Sequence, residues 1–259
     1  LIALAAWLTG QPVACVYTRP ESMMASTKRH PAHIEARFSA DASGRLQAAV
    51  VDAVFNTGAY ASWGPTVANR VPVHATGPYY VPNVATLGRA YLTNEPVAGA
   101  FRGFGVPQAA IAHETMMDDL AERLGMDRLV IRRRNALRAG QTTATGQKLE
   151  ASCGLVACID ALAQKWKAAL DAAAAFNATA AHTRRGVGIG CMWYGIGNTA
   201  LSNPSSMRVG LGRDGVVTFY NGCADIGQGT TTTMLQVVAD AVGLPMSAFR
   251  TVMGDTDLT

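Results

Sequence analysis

The chain has 259 residues, 49% of them apolar and 15% charged, with a formal net charge of +4. That length can bury a sizeable core in one or two domains, and the composition excludes intrinsic disorder. The small, scattered charge also excludes a nucleic-acid surface: its one run, Arg132-Arg133-Arg134, reads as a solvated helix face.

The opening LIALAAWLTG has the character of the last turns of an amphipathic helix, stopped by Gly10 and Pro12. Its apolar run is too short for a membrane span. VACVYT (13–18) has strand character, and PESMMASTKRH reads as a polar loop. Residues 33–38 and 46–55 form a hairpin around Asp41 to Gly44, where Gly44 supplies the positive φ that the turn needs. A Gly- and Pro-rich loop is expected from Gly58 to Pro82, then a short strand from Thr86 to Leu92. From Gln108 the spacing of Ile111, Met116, Met117, Leu120 and Leu124 predicts a helix closed by Gly125, and Asp127 caps the next helix. Residues 155–175 are Ala-rich and helical, with Trp166 as an anchor. GVGIGCMWYGIGNT reads as a glycine-dense strand and turn. A second hairpin follows around Arg213 to Gly215, then a helix from about Thr232 to Val242 and a strand from Phe249 to Met253. No regular βαβ rhythm is visible, so the fold expected is α+β, with mixed sheets and packed helices.

Two stretches carry the chemistry. In AGAFRGFG, glycines allow close backbone approach, and a strand-to-helix passage exposes N–H groups suited to anions. Two readings stand side by side: a tight turn with Arg102 reaching solvent, or Arg102 against an anionic cofactor between apolar walls. In ADIGQGTTTT, Gly227 and Gly229 bracket Gln228 before a hydroxyl-rich helix. Such a loop can hold the amide-like edge of a pterin or a phosphate, or it can be a helix start capped by threonines. Neither stretch is a Walker loop or a dinucleotide fingerprint. The five cysteines, Cys15, Cys153, Cys158, Cys191 and Cys223, form no CxxC pair and no zinc spacing, which points to reduced thiols and away from an iron–sulfur cluster in this chain.

AYLTNEPVAGAFRGFGVPQAAIAHETMMDDLAERLGMDRLVIRRRNAL and CADIGQGTTTTMLQVVADAVGLPMSAFRTVMGDTDLT together resemble the molybdopterin-binding region of the xanthine dehydrogenase/aldehyde oxidase family of molybdenum hydroxylases. The resemblance covers nearly the whole chain, in the family's order. It implies that residues 1–150 are the C-terminal part of a first molybdopterin-binding domain and residues 151–259 the N-terminal part of a second. The chain would then be an internal piece of a larger polypeptide. Carried over by position, Arg102 meets the ligand shell of the metal, largely through its backbone N–H, without coordinating it directly. Phe101 touches the cofactor, and Ile226, Gly227 and Gln228 contact the pterin. Arg29 in KRHP, Phe104 and Thr199 face the substrate. Asn198 stands where purine oxidisers carry an aromatic, so WYGIGNT looks more like the aldehyde-oxidising bacterial branch.

The resemblance implies hydroxylation of an aldehyde or aromatic N-heterocycle with water-derived oxygen, on molybdenum held by molybdopterin with or without a cytosine dinucleotide. Electrons would leave through iron–sulfur clusters, with or without FAD, on other segments or subunits of a homo- or hetero-oligomer. The family's general-base Glu belongs to a segment downstream of this chain, so the piece alone is expected to be inactive. Glu114, on the helix after AFRGFG, reads as a structural partner, and His113 as a hydrogen-bonding residue of that helix. The alternative is a non-catalytic or degenerate scaffold paralogue of the same fold. No nucleic acid and no membrane span are expected, and the compartment expected is the cytoplasm, with the periplasm left open.

Overall fold

The computed structural model describes residues 1–195 and 204–259. By packing, the chain divides after Tyr194 into two compact units, Leu1–Tyr194 and Gly195–Thr259. This break lies beyond the boundary expected at 150, because α6 (Leu155–Thr179) and the strandless segment Cys191–Tyr194 pack on the first unit.

In the first unit, β1 (Ala32–Ala40) and β2 (Leu46–Gly58) pair antiparallel as the expected hairpin, and β3 (Asn83–Leu92) pairs parallel with β2. At the hairpin turn Gly44 has φ +81°, and a Cβ there would lie 2.8 Å from the Met126 side chain. Along β2, Ala49, Val51, Ala53 and Phe55 are buried at every second position, as the strand period requires. Burial of Phe55 alone is worth about 1.5–3 kcal/mol. The crossover to β3 runs through α3 (Gly64–His74), which fills much of the region expected to be loop. This helix lies close on β3: a Cβ on Gly88 would sit 2.4 Å from the Ala68 carbonyl oxygen. Residues 13–18 form no strand. Instead Thr18 caps α2 (Arg19–Ala25) through a reciprocal box with Glu21, whose carboxylate accepts from the Thr18 N–H at 2.8 Å. In sequence this box is legible as Thr18-x-x-Glu21, with Pro20 in the first turn.

The second unit repeats the plan of the first sheet. β4 (Arg208–Leu211) and β5 (Val217–Asn221) form a hairpin, and β6 (Phe249–Met253) pairs parallel with β5 through α7 (Thr230–Val242). Each unit therefore holds one helix-bridged parallel pair, which the sequence reading did not anticipate. The strand leading into each crossover carries an Asn at or near its end: Asn56 accepts from the Gly58 N–H and Asn221 from the Cys223 N–H, both at 2.8 Å. The spacing from Asn56 to Gly64 equals that from Asn221 to Gly229. Antiparallel and parallel pairs share each sheet, and helices pack beside them, so the fold is α+β with mixed sheets.

α4 (Val106–Arg123) and α5 (Arg128–Asn135) complete the core of the first unit, and Asp127 caps α5 as expected by accepting from the Leu129 and Val130 N–H groups. The Trp166 indole of α6 donates to Asp127 at 2.9 Å. Arg132 corrects the expectation of a solvated face, because it is fully buried. Its Nε donates to Glu114 at 2.7 Å, its Nη2 pairs with Asp118 at 2.8 Å and its Nη1 donates to the Arg128 carbonyl at 3.0 Å. The Tyr79 hydroxyl donates to the other Glu114 oxygen at 2.6 Å, and burial pushes this phenol well above its ordinary range. Glu114 is thus the structural partner it was expected to be.

Beside this cluster, the buried His113 ring lies 3.4 Å from the Cys191 carbonyl, and the buried His74 ring lies 4.5 Å from that of Trp193. The Trp193 indole donates to the Gly77 carbonyl at 2.8 Å. Among the described residues no helix is long and apolar enough to cross a membrane.

Arg132→Met in the full-length protein leaves Glu114 and Asp118 without their buried countercharge. It should cost about 3–5 kcal/mol, read as a lowered chemical-denaturation midpoint. Burial holds the pKa of both His74 and His113 below the ordinary histidine value, although Glu114 works against this at His113. A group depressed in the fold binds its proton first in the unfolded chain. Stability should therefore be full above about pH 6.5 and fall as pH drops below it. His74→Phe should flatten that slope in denaturation midpoints measured from about pH 7.5 to 5.5.

Candidate functional site

The AFRGFG stretch is placed by a short parallel bridge between Lys28 and Ala98. The Gly99 N–H donates to the Lys28 carbonyl at 3.0 Å, and the Ala98 N–H to that of Thr57 at 3.0 Å. A Cβ on Gly99 would lie 2.9 Å from Thr27 Cβ, so the close approach needs glycine. The chain then reverses through three consecutive residues of positive φ: Gly103 at +94°, Phe104 at +50° and Gly105 at +95°. Gly105 starts α4, and a Cβ there would meet the Val67 carbonyl oxygen at 2.4 Å. Among the described residues, the N–H groups of Ala100, Phe101, Arg102 and Gly103 find no hydrogen-bond partner. A row of free backbone donors beside the start of an 18-residue helix is a cradle for an acceptor-rich or anionic group.

Four of the residues expected at the site are brought together here. Arg29 lies with its guanidinium 4.5 Å from the Phe101 ring centroid and donates from Nη2 to the Arg102 carbonyl. The guanidinium on a phenyl ring is thus that of Arg29, whereas the Arg102 side chain is exposed. Arg29 Nη1 is buried with no partner, an orphaned donor beside the loop. Phe104 packs edge-on to Trp63, centroids 5.9 Å apart. Trp63 escaped the sequence reading because it lies in the segment taken as a long loop, and no spacing there points to Phe104. Gln108, in the first turn of α4, donates to the His30 carbonyl at 3.1 Å and keeps a buried, unpartnered Oε1.

The loop before α7 is built differently. The Asp225 carboxylate accepts from the N–H groups of Gly227 at 2.7 Å and Thr231 at 3.1 Å, and those bonds, the Gly227 bond foremost, hold its pKa below the ordinary carboxylate value. The threonine caps that one of the two readings allowed are absent, because Asp225 takes their place, and its charge disfavours a phosphate at this helix start. The Gln228 side chain is engaged within the loop: Oε1 accepts from the Ile226 N–H at 2.7 Å, and Nε2 donates to the Ala224 carbonyl at 3.0 Å and to Thr230 Oγ1 at 2.7 Å. What this loop offers outward is the exposed Ile226 side chain, the positive-φ turn at Gly227 and the unpaired N–H of Gln228. Thr199 and Asn198 lie outside the described residues.

Family models described as molybdopterin cofactor-binding domain match residues 1–136 and 161–259. The chain belongs to that family. Over 163 residues it is 48% identical to the nicotinate dehydrogenase large molybdopterin subunit of Eubacterium barkeri, covering 63% of this chain and 38% of that one. Over 231 residues it is 38% identical to the aldehyde oxidoreductase of Megalodesulfovibrio gigas, covering 88% and 25%. The crystal structure of the aldehyde oxidoreductase from Desulfovibrio desulfuricans superposes with a TM-score of 0.82 at 30% identity, over 99% of this chain and 28% of that one. The chain thus spans well under half the length of these relatives.

The first-unit loop fits a molybdopterin cofactor. Its four free N–H groups and the orphaned Arg29 nitrogen are donors, and the pterin, its phosphate and an oxygen-bearing metal are rich in acceptors. Among the described residues no cluster of side chains could hold a metal ion.

Two glycines separate steric filling from backbone conformation. Gly105 and Gly125 both have positive φ, but a Cβ on Gly125 meets nothing within 4 Å. Gly105→Ala should therefore cost more than Gly125→Ala, about 1–3 kcal/mol against about 1 kcal/mol, in denaturation midpoints of the full-length protein.

Proposed function

We propose that the full-length protein is an oxidoreductase of the molybdenum hydroxylase type and that this chain supplies part of its cofactor site. The observation that carries the reading is the row of unpaired N–H groups from Ala100 to Gly103, flanked by the Arg29–Phe101 pair. In this reading residues 1–150 belong to a first molybdopterin-binding domain and residues 151–259 to a second. The backbone at Arg102 faces the metal's ligand shell, Phe101 touches the cofactor, and Ile226, Gly227 and Gln228 reach the pterin, Gln228 through its backbone. When bound, the molybdenum–pterin group supplies a two-electron acceptor and an oxygen-transfer centre.

The chain's own residues bind, orient and exclude water. Phe104, braced by Trp63, forms an apolar wall that orients a flat substrate. Arg29 Nη1 holds an electron-rich oxygen of the substrate, and Thr199 is the remaining substrate-facing residue of this reading. The substrate class is an aldehyde or an aromatic N-heterocycle, and the names of the two relatives above point to one each. By the family resemblance proton abstraction falls to a Glu downstream of this chain, while Glu114 is committed to Arg132 and Tyr79. Electrons leave through iron–sulfur clusters, with or without FAD, on other segments or subunits of an oligomer, in the cytoplasm.

The test is metal and pterin analysis of the full-length protein from molybdate-supplied cells, with a parallel turnover screen of aldehydes and N-heterocycles. Molybdenum near one atom per chain is expected. Arg29→Ala should keep the metal and lower kcat/KM by about 10–100-fold, and Arg102→Pro, which removes the backbone N–H, should lower metal content or turnover. A metal-free, pterin-free protein would overturn the reading.

A further inference from the structure

Away from the cofactor loop, a surface pocket of about 290 Å³ is lined by Arg45, Val130, Arg133, Arg134 and Arg138. We infer that this pocket is a binding site for a free oligophosphate of the pyrophosphate class. Arg133 is already paired, donating twice to Asp160, and the same carboxylate lies within electrostatic reach of Arg138, but among the described residues Arg45 and Arg134 have no acidic partner. Four guanidinium groups share one carboxylate around this concavity, so it keeps an excess of positive charge, and their planar forks match phosphate oxygens.

The ordinary explanation of such arginines is the negative end of a helix, and it covers only Arg133 and Arg134 in the last turn of α5. Arg45 comes from the β1–β2 turn and Arg138 from the chain beyond α5, so three segments converge. The convergence is also held in place. The buried Asn135 side chain donates to the Gly44 carbonyl at 2.8 Å and accepts from the Leu46 N–H at 2.9 Å, gripping the backbone on both sides of Arg45. The Arg138 N–H is fixed by Gln141 at 2.8 Å. Val130 is the pocket's one apolar side chain, which leaves no platform for a base or sugar and favours a bare phosphate chain.

The proposal is independent of the cofactor assignment, because its readout is binding, not turnover. Full-length protein is titrated calorimetrically with pyrophosphate and with inorganic phosphate in low-salt, phosphate-free buffer. One pyrophosphate per chain is expected, bound more tightly than phosphate and weakened by added salt. Arg134→Gln with Arg138→Gln should weaken it at least about tenfold, with metal content and circular dichroism unchanged. Arg45→Lys keeps the charge but loses the fork, so it should retain part of the affinity and serves if the double variant fails to fold. Equal binding by the wild type and either variant, or no heat with wild type at low salt, would overturn the proposal.

Discussion

The first unit depends on one backbone constraint, the three consecutive left-handed residues Gly103, Phe104 and Gly105. Two of them can only be glycine, since a Cβ would strike Pro107 or Val67. By reversing the chain within so few bonds, they start α4 directly beneath the loop and leave the preceding N–H groups pointing away from the protein's own acceptors. The same reversal sets the direction of α4, and with it the places of Gln108, His113, Glu114 and Asp118 along one helix. Phe104 is the one side chain carried in this strained conformation, and the edge of Trp63 packs against it. Strain of this kind concentrates where geometry serves binding.

Beneath that loop the unit is organised by charge as much as by apolar contact. A fully buried arginine beside two carboxylates on α4 is a poor source of net stability, because each ion loses its hydration. What it provides is register. Glu114 can satisfy Arg132 and Tyr79 together only if α4, α5 and the segment after α3 hold fixed mutual positions. The neighbouring imidazoles hold the segment from Cys191 to Tyr194 in the same neighbourhood, with the Trp193 bond to Gly77 as its tether.

The legible parts of the sequence were those with local causes. The hairpin turn at Gly44, the Asp127 cap and the helical spacing from Ile111 to Leu124 each sit within a few residues of the structure they produce. Arg132 was misread because its run of three arginines looks uniform in sequence, whereas only one of them faces Glu114 and Asp118, a turn apart on a different helix. α3 was hidden by the prolines and glycines around it, although Pro65 in its first turn is a helix-start signal. Arg29, Phe101, Arg102 and Phe104 were singled out by resemblance, and their mutual packing follows from the bridge between Lys28 and Ala98, which no motif encodes. In the loop before α7 the glycines were legible, but the part played by Asp225 was not, because a carboxylate reaching forward to Gly227 and Thr231 leaves no pattern in composition.

The strand order of each unit bears on how the polypeptide matures. In both, a hairpin closes locally, while the third strand can join only after an entire helix has been made and folded back. As the polypeptide leaves the ribosome, β2 and later β5 must wait with one edge bare until the distant partner emerges, a delay in which chaperones or unwanted neighbours compete for that edge.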